Sequence, residues 1–387
     1  MHVGIITLWQ SSDNYGQQLQ CWALQQELIK LGHEPYLIRY DVEYRTRNNK
    51  SPLWKKVLKL LLIYPVIKSL KRRKINKKEQ LLEAYNAKRN EERQFLTFRK
   101  DNFLLSDNIY STLQELKDNP PKADAYIVGS DQVWAFTLDN YENRVMFLDF
   151  GDKKIKRIAY APSFSMPSYP EKLKLVLKEN LDRFDSLSVR EQTGAKICNE
   201  IGCTAQVVVD PTMLLSSKDY SVIANANTCG LYIYLYYLNI SNSEEVEWQQ
   251  LKDFAKNNNL KVIATPASGY MQGKELFDKV EYQYATIPRW IGLINGARLV
   301  VTTSFHGVVF CIIHRTPFIY FPLMGKYSRG NNRVIDLCKI LGLSDHIWNS
   351  SSSFESLFHK TIDWENVQEK LELLRKGSID YLKNALL

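Results

Sequence analysis

Short apolar stretches alternate with amphipathic stretches along most of this 387-residue chain, and this alternation constrains its fold more than any other feature. The chain begins with the apolar stretch HVGIITL, followed by a polar loop and a predicted helix from about Gln17 to Leu31. Gly32 ends that helix, and the apolar stretch EPYLIRY follows. A strand, a helix and a second strand in this order are typical of βαβ units, which build parallel sheets.

The same alternation continues through two series of elements. The first includes the predicted strands ADAYIVGS, KRIAYAPS, SLSVRE and AQVVVDP, and the second begins at LYIYLYYL and includes RLVVTTS and PFIYFP. Because the chain is long for one core, we predict two α/β domains, 1–215 and 216–387, with the last helix a candidate for packing back onto the first domain. We expect two doubly wound sheets that face each other across a cleft, with ligands at the carboxyl ends of their strands.

Positive charge is concentrated in a predicted helical insertion at about 45–100. Between Arg45 and Lys100 there are 18 Lys and Arg against 4 Asp and Glu, whereas the net charge of the whole chain is +9. The stretch at about 52–78 mixes Leu, Ile and Val with Lys, which fits a helix lying on an anionic membrane better than a nucleic-acid groove binder. The alternative is a solvent-exposed helical insertion that lies over the core and contacts no membrane.

Composition suggests a protein of a reducing compartment. Six cysteines, at positions 21, 198, 203, 229, 311 and 338, show no paired spacing, so we expect neither disulfides nor a zinc site. The N-terminal stretch is interpreted as a strand and not a signal peptide, and no apolar run approaches the ~18 residues of a membrane span. We therefore predict a cytoplasmic protein, with the inner face of the membrane as a further option.

Polar residues collect directly after the predicted strands, where the carboxyl edge of each sheet would lie. Such residues commonly cap helices, so each one alone is a weak signal. Together they predict the rim of an active site, formed in the first domain by Asn14, Gly16, Gln20, Ser130, Asp131, Trp134, Tyr160, Ser163, Arg190, Glu191 and Asp210, and in the second by Ser304, Phe305, His306 and Gly307.

His306 is the strongest single candidate for chemistry. It stands at a strand-to-helix junction between two apolar runs, at a helix start where it would be available as a proton acceptor. A structural histidine is the alternative. Gly307, directly after it, would let a ligand approach the backbone closely.

An anionic ligand would be held by arginine, whose guanidinium suits carboxylate and phosphate. Arg190 follows a predicted strand, with Glu191 beside it to orient it, and Arg333 lies in a Gly- and Asn-rich loop. An ordinary surface ion pair is the alternative for each. The sequence contains no GxGxxG, GxxxxGK[ST], GxSxG or HExxH motif, which argues against a dinucleotide cofactor, a P-loop kinase and a metal site.

Five segments in a fixed order resemble the polysaccharide pyruvyl transferase family. They are NYGQQLQCWALQQEL, VGSDQVW, LSVREQTG, VVVDPTMLL and TTSFHGVVFCIIHRTPF, and the resemblance extends from Ile5 to about Phe321. It implies two Rossmann-like domains in the GT-B glycosyltransferase architecture. It also implies transfer of pyruvate from phosphoenolpyruvate (PEP) onto a sugar of a surface glycan or its lipid-linked precursor, with no metal or cofactor.

The resemblance also implies roles for individual residues. His306, at the end of the Ser304–Phe305–His306 triad, would be an acid/base at PEP, and Arg190 would hold the anionic groups of PEP. Some relatives have Arg where this chain has Ser304, and Arg333 is a candidate to compensate. Asp131 would be the base toward the sugar hydroxyl and Trp134 a stacking platform for the sugar. A nucleotide-sugar glycosyltransferase and a non-catalytic scaffold of a glycan-assembly complex are the rival interpretations.

Overall fold

The computed structural model describes residues 1–41, 87–225, 230–267 and 275–387. Most of the basic insertion predicted at about 45–100, and all of the membrane-contacting stretch predicted at about 52–78, lie outside the described residues. Within the described part of the chain, no helix is both long and apolar enough to cross a membrane.

The first domain is built on a seven-stranded sheet whose paired strands are parallel, in the order β3-β2-β1-β4-β5-β6-β7. Its strands are β1 His2–Ile6, β2 Glu34–Tyr40, β3 Leu105–Tyr110, β4 Ala125–Val128, β5 Lys156–Ala159, β6 Ser186–Val189 and β7 Gln206–Val207. Its helices are α1 Tyr15–Lys30, α2 Phe95–Asn102, α3 Leu113–Asp118, α4 Lys174–Leu181, α5 Gln192–Glu200 and α6 Ser217–Tyr220, and 87–93 is also helical.

The second domain contains a five-stranded parallel sheet in the order β10-β9-β8-β11-β12. Its strands are β8 Tyr232–Tyr237, β9 Lys261–Pro266, β10 Glu281–Tyr282, β11 Leu299–Thr302 and β12 Phe318–Tyr320. Its helices are α7 Trp248–Asn257, α8 Ile287–Asn295, α9 Phe305–His314, α10 Asn332–Leu341, α11 Phe354–Phe358 and α12 Trp364–Leu386. In each sheet the chain adds strands first on one side of the initial strand and then on the other side, as in doubly wound folds. This order confirms the prediction of two Rossmann-like domains.

Helix α1 shows how local sequence sets an element boundary. The side chain of Asn14 accepts a hydrogen bond from the backbone N–H of Gln17 at 3.1 Å, so the helix begins at Tyr15 and not at the predicted Gln17. Tyr15 then packs into the second domain, where its hydroxyl donates to the carbonyl of Ala285 at 2.6 Å and its ring stacks on Trp290. The N-terminus of α1 therefore lies at the boundary between the two domains.

The last helix, α12, follows the second sheet but lies against the first domain. The Tyr381 hydroxyl donates to the carbonyl of Ala159 at 2.9 Å, and the backbone N–H of Val209 donates to Ser378 at 3.0 Å. Arg375 Nε donates to the carbonyl of Met213 at 2.8 Å. These contacts hold the two domains together on the side of α12.

A histidine at the end of α9, whose Nε2 is buried although the residue as a whole is partly exposed, should make stability depend on pH. Burial lowers the pKa of His314 from 6.5 to about 4, so the unfolded chain gains a proton at a higher pH than the folded chain. The contribution of the neutral His314 side chain to the free energy of unfolding is fully present above pH 6.5. It should decrease by about 3 kcal/mol as the pH drops toward 4. Urea unfolding at several pH values should show this slope in the wild type and a reduced slope in His314→Gln. An identical slope in both proteins would contradict it.

Candidate functional site

The carboxyl edges of the two sheets meet at a cluster of charged side chains centred on Asp210. This residue follows β7, and its side chain is completely buried. Its Oδ2 accepts hydrogen bonds from Arg190 Nη1 at 2.8 Å and from the Ser130 hydroxyl at 3.2 Å. Its Oδ1 accepts from the backbone N–H and the hydroxyl of Thr212, at 3.0 and 2.7 Å. Asp210 thus links the ends of β4, β6 and β7.

Asp210 also faces the second domain. His306 Nε2 lies 3.6 Å from Asp210 Oδ2, which is longer than a hydrogen bond, so their interaction is electrostatic. His306 is the second residue of α9, after the N-cap Ser304, whose hydroxyl accepts a hydrogen bond from the backbone N–H of Gly307 at 3.3 Å. The histidine predicted at a strand-to-helix junction does stand at one, and a carboxylate of the other domain faces it.

Charge balance in the cluster keeps its central ion pair charged. Burial raises the pKa of Asp210, but the charges of His306 and Arg190 and the hydrogen bond from Thr212 outweigh it and hold that pKa well below its usual value. Burial lowers the pKa of Arg190, but its three neighbouring carboxylates outweigh this effect, so that the pKa is raised. Asp210 is therefore an acceptor only, and Arg190 remains a cation.

Arg190 has further binding capacity. Its Nη2 lies 3.7 Å from Asp131 and its Nε 3.9 Å from Glu191, both beyond hydrogen-bonding distance. These two nitrogens, like His306 Nε2, are buried and have no hydrogen-bond partner within the described part of the chain. Buried donors without partners are uncommon and mark places where a ligand can supply the missing acceptors.

A second arginine reaches the same place from α10. The guanidinium of Arg333 lies 5.7 Å from the centre of the Phe305 ring, and that of Arg190 lies 5.0 Å from it. With its amide oxygen turned toward Arg333, Gln132 accepts hydrogen bonds from Nη1 at 3.0 Å and from Nη2 at 2.7 Å. Burial, followed by the charge of Arg190, lowers the pKa of Arg333 to about 10, so it stays protonated at neutral pH.

Gly16 permits the close approach of α1 to His306. A Cβ atom on Gly16 would lie 1.9 Å from His306 Nδ1, far inside van der Waals contact. Because Gly16 is the second residue of α1 and His306 the second residue of α9, two helix N-termini lie at the imidazole. Both carry partial positive charge, which favours a negatively charged ligand.

A family model for polysaccharide pyruvyl transferases matches residues 14–323, which is most of the chain. This chain belongs to the polysaccharide pyruvyl transferase family. The family model covers Asp210, Arg190 and His306, and it ends before Arg333.

Comparison with known proteins gives little beyond the family. No curated protein matches the chain significantly. Among solved structures, it is similar to the calicheamicin glycosyltransferase, with 14% identity, a TM-score of 0.47 and coverage of 100% of this chain and 98% of that one. It is also similar to the UDP-GlcNAc 2-epimerase of Neisseria meningitidis, with 10% identity, a TM-score of 0.45 and coverage of 98% and 94%. Likenesses this distant carry no functional argument.

Several residues that were predicted at the rim of the active site are instead buried beneath it, where they hydrogen-bond to the residues that form the cluster or to their neighbours. Gln20 is fully buried, and its Oε1 accepts a hydrogen bond from the backbone N–H of Ser130 at 3.1 Å. The Ser163 hydroxyl donates to Glu191 at 2.8 Å. The Tyr160 hydroxyl is buried and donates to the carbonyl of Val209 at 3.0 Å. Asn14 is the N-cap of α1. These side chains position the cluster from within the protein.

Two of the predicted roles are wrong. Trp134 cannot be a sugar platform because it is completely buried, with its ring stacked 5.2 Å from that of Phe147 and its indole N–H donated to the carbonyl of Met146. Gly307 does not open the backbone to a ligand, since a Cβ there would lie 2.4 Å from the hydroxyl of Thr302. Gly307 instead lets α9 start close to the end of β11.

Two functional candidates were missed by the sequence analysis. Thr212 had a local signal, because a hydroxyl two residues after the aspartate of an Asp-Pro pair can donate a hydrogen bond to the carboxylate. Gln132 had none, because its contact with Arg333 joins residues far apart in the chain. Within the described ranges, no group of three or more His, Cys, Asp or Glu side chains is placed to hold a metal ion.

Proposed function

We propose that this protein transfers pyruvate from PEP to a sugar of a bacterial surface glycan or its lipid-linked precursor, forming a cyclic ketal and releasing phosphate. The observation that supports it best is the grouping of Arg190, Arg333 and His306 beside two helix N-termini, in a chain of this family. PEP carries a carboxylate and a phosphate, and such a site offers cations and backbone N–H groups to both.

The reaction requires a proton at the methylene carbon of PEP. Protonation converts the methylene into a methyl group and leaves C2 electron-poor, so one sugar hydroxyl adds to C2 and loses its proton. A second hydroxyl of the same sugar then displaces phosphate, and its proton leaves with the phosphate. The net change breaks the C=C π bond of PEP, its C–O bond to phosphate and two sugar O–H bonds, and it forms two C–O bonds, one C–H bond and one O–H bond on phosphate.

Protonation of PEP, binding of its anionic groups and activation of the sugar hydroxyl each have a candidate residue. His306, which faces Asp210 at 3.6 Å, delivers the proton to the methylene carbon as general acid, and the carboxylate stabilises the protonated imidazole. Arg190 and Arg333 hold the anionic groups of PEP, with Phe305 between them and Ser304 fixing the start of α9. Asp131 lies 3.7 Å from Arg190 and is the candidate base toward the sugar hydroxyl.

Replacing His306 by glutamine should separate catalysis from binding. We expect kcat for ketal formation to fall by about 10²–10⁴-fold, because a general acid is lost, while PEP affinity changes little. Phosphate release from PEP in the presence of glycans measures the first quantity, and calorimetric titration with PEP measures the second. His314→Gln, at the other end of the same helix, is the matched control and should retain wild-type turnover.

Two results would contradict the proposal. If PEP neither binds nor turns over with any glycan, PEP is not the donor; nucleotide release from a nucleotide sugar would then indicate a glycosyltransferase. If His306→Gln turns over at the wild-type rate, the histidine is not the acid. We propose further that the reaction takes place on the cytoplasmic side of the membrane, with the predicted insertion as the candidate contact to the bilayer.

A further inference from the structure

Glu191 holds one of its carboxylate oxygens in a hydrogen bond and leaves the other one available. The residue is 5% exposed, and its Oε1 accepts a hydrogen bond from the Ser163 hydroxyl at 2.8 Å. Ser163 itself accepts from the backbone N–H of Ser165 at 3.1 Å, which leaves the hydroxyl proton for Glu191. Glu191 Oε2 is buried and has no hydrogen-bond partner among the described residues. A buried acceptor of this kind marks a place where a ligand can supply the donor.

Helix capping does not explain this carboxylate. Glu191 is the N-cap of α5, a position from which side chains commonly accept a hydrogen bond from the first helical turn. Within the described chain, the Glu191 side chain makes no such bond. It turns away from the helix, toward Ser163 and Arg190.

The available oxygen faces the two arginines that are proposed to hold PEP. Glu191 Oε2 lies 3.9 Å from Arg190 Nε, which is longer than a hydrogen bond. Burial and the charge of Arg190 lower the pKa of Arg333, whereas the charge of Glu191 raises it, so the carboxylate acts on both guanidinium groups. These groups lie on the same ring, that of Phe305. A phosphate held by the two arginines would therefore lie beside a proton acceptor.

The other two carboxylates beside Arg190 are already engaged. Asp210 accepts two hydrogen bonds at each of its oxygens, so it has little capacity left for a substrate proton. Asp131 is the candidate base toward the first sugar hydroxyl. Ketal formation consumes two hydroxyls, and the proton of the second one must reach the departing phosphate. Glu191 is the carboxylate that remains for this transfer.

We propose that Glu191 is a catalytic residue of the second step, in which it takes the proton of the second sugar hydroxyl and passes it to the departing phosphate. This inference rests on the proposed function. The hydroxyl oxygen forms its bond to C2 while the C2–O bond to phosphate breaks and leaves its electron pair on the phosphate oxygen. The hydroxyl proton moves to Glu191 Oε2 and then to the phosphate, so the carboxylate is regenerated and no further reactant is needed.

Replacing Glu191 by glutamine should stop the reaction between its two steps. With PEP that carries one radiolabel on carbon and another on phosphorus, rapid quenching should show a glycan adduct that carries both labels. The kcat for phosphate release should fall by about 10²–10⁴-fold, because a proton-transfer group is lost. The Kd for PEP should not rise, since the substitution removes a negative charge near an anionic ligand. A carboxylate that only neutralises Arg190 would not produce the doubly labelled adduct.

Two further variants control this test. Glu142→Gln is the matched control, because that carboxylate accepts hydrogen bonds from Tyr40 and from the backbone N–H of Leu113, outside the cluster. It should release phosphate at the wild-type rate without accumulating the adduct. Glu191→Asp keeps the charge on a shorter side chain and should restore part of the phosphate release. If thermal unfolding shows that the glutamine variant does not fold, the aspartate variant replaces it, and slowed phosphate release with the doubly labelled adduct is again expected.

Two outcomes overturn the inference. Phosphate release by Glu191→Gln at the wild-type rate shows that Glu191 transfers no proton. Loss of phosphate release with no doubly labelled glycan shows that Glu191 acts before the second step or only in the structure. Failure of the wild type to bind or turn over PEP is a different result, which refutes the proposed function. Wild-type turnover is measured first, so the two failures are distinguished.

Discussion

Replacing Asp210 by alanine is expected to lower the free energy of unfolding by about 3–5 kcal/mol and to reduce turnover below detection. Arg190, whose side chain is only 2% exposed, would lose its 2.8 Å partner, and Asp131 and Glu191 lie too far away to replace it with a hydrogen bond. His306 would lose the carboxylate that it faces. Urea unfolding measures the first loss, and phosphate release from PEP measures the second.

Two control variants separate these effects. Asp210→Asn keeps one acceptor oxygen, which can still serve Thr212, but removes the charge and the acceptor for Ser130, so it should fold better than the alanine variant and still lose most turnover. Asp149→Ala removes another largely buried carboxylate, which lies outside the cluster and pairs with Lys117 at an N–O distance of 3.0 Å. This variant should lower the free energy of unfolding without lowering kcat. Wild-type turnover in Asp210→Asn would show that the ionised carboxylate has no part in the reaction.

The site is assembled from residues of both domains. The sequence could predict those of its residues that directly follow strands, but not the contacts that depend on side-chain orientation. Positions after strands, such as Asp210, Arg190 and His306, follow from the rule that parallel strands end at one edge, and all three meet there. The rule cannot state which side chains turn inward. After Asp131, with a φ of 69°, the chain directs Trp134 into the core between Phe147 and Phe164.

Contacts that join distant segments had no local signal. Arg93 lies within a stretch of charged residues, where helical periodicity alone favours a solvated face, yet it donates to Pro266 in the other domain. Gln132 follows Asp131 directly, and its amide faces Arg333, which lies beyond the region of family resemblance. The fold class could be predicted because its pattern is repeated along the chain. These residue pairs could not, because they depend on how the two folded domains pack against each other.

Substituting Gly16 by alanine should reduce turnover by about 10²-fold or more, because displacing a catalytic group by about 1 Å costs that much. The new methyl carbon would lie 1.9 Å from His306 Nδ1, 2.1 Å from Cγ and 2.6 Å from Cε1, so either the imidazole or the start of α1 must move. Moving α1 would also shift Tyr15, which is anchored between the domains by its hydrogen bond to Ala285. The imidazole is the freer of the two, so the change should fall mainly on kcat.

Helix propensity makes this prediction sharper. Alanine is more favourable than glycine inside a helix by about 1 kcal/mol, so without the clash the substitution would stabilise the protein. Gly377→Ala is the matched control, since Gly377 lies within α12 and a Cβ there would meet no atom within 4 Å. That variant should unfold at slightly higher urea with unchanged turnover, whereas Gly16→Ala should lose both stability and kcat. If Gly16→Ala instead gains stability and keeps wild-type kcat, the imidazole does not act from the position beside Gly16, and its role as the acid at PEP fails with it.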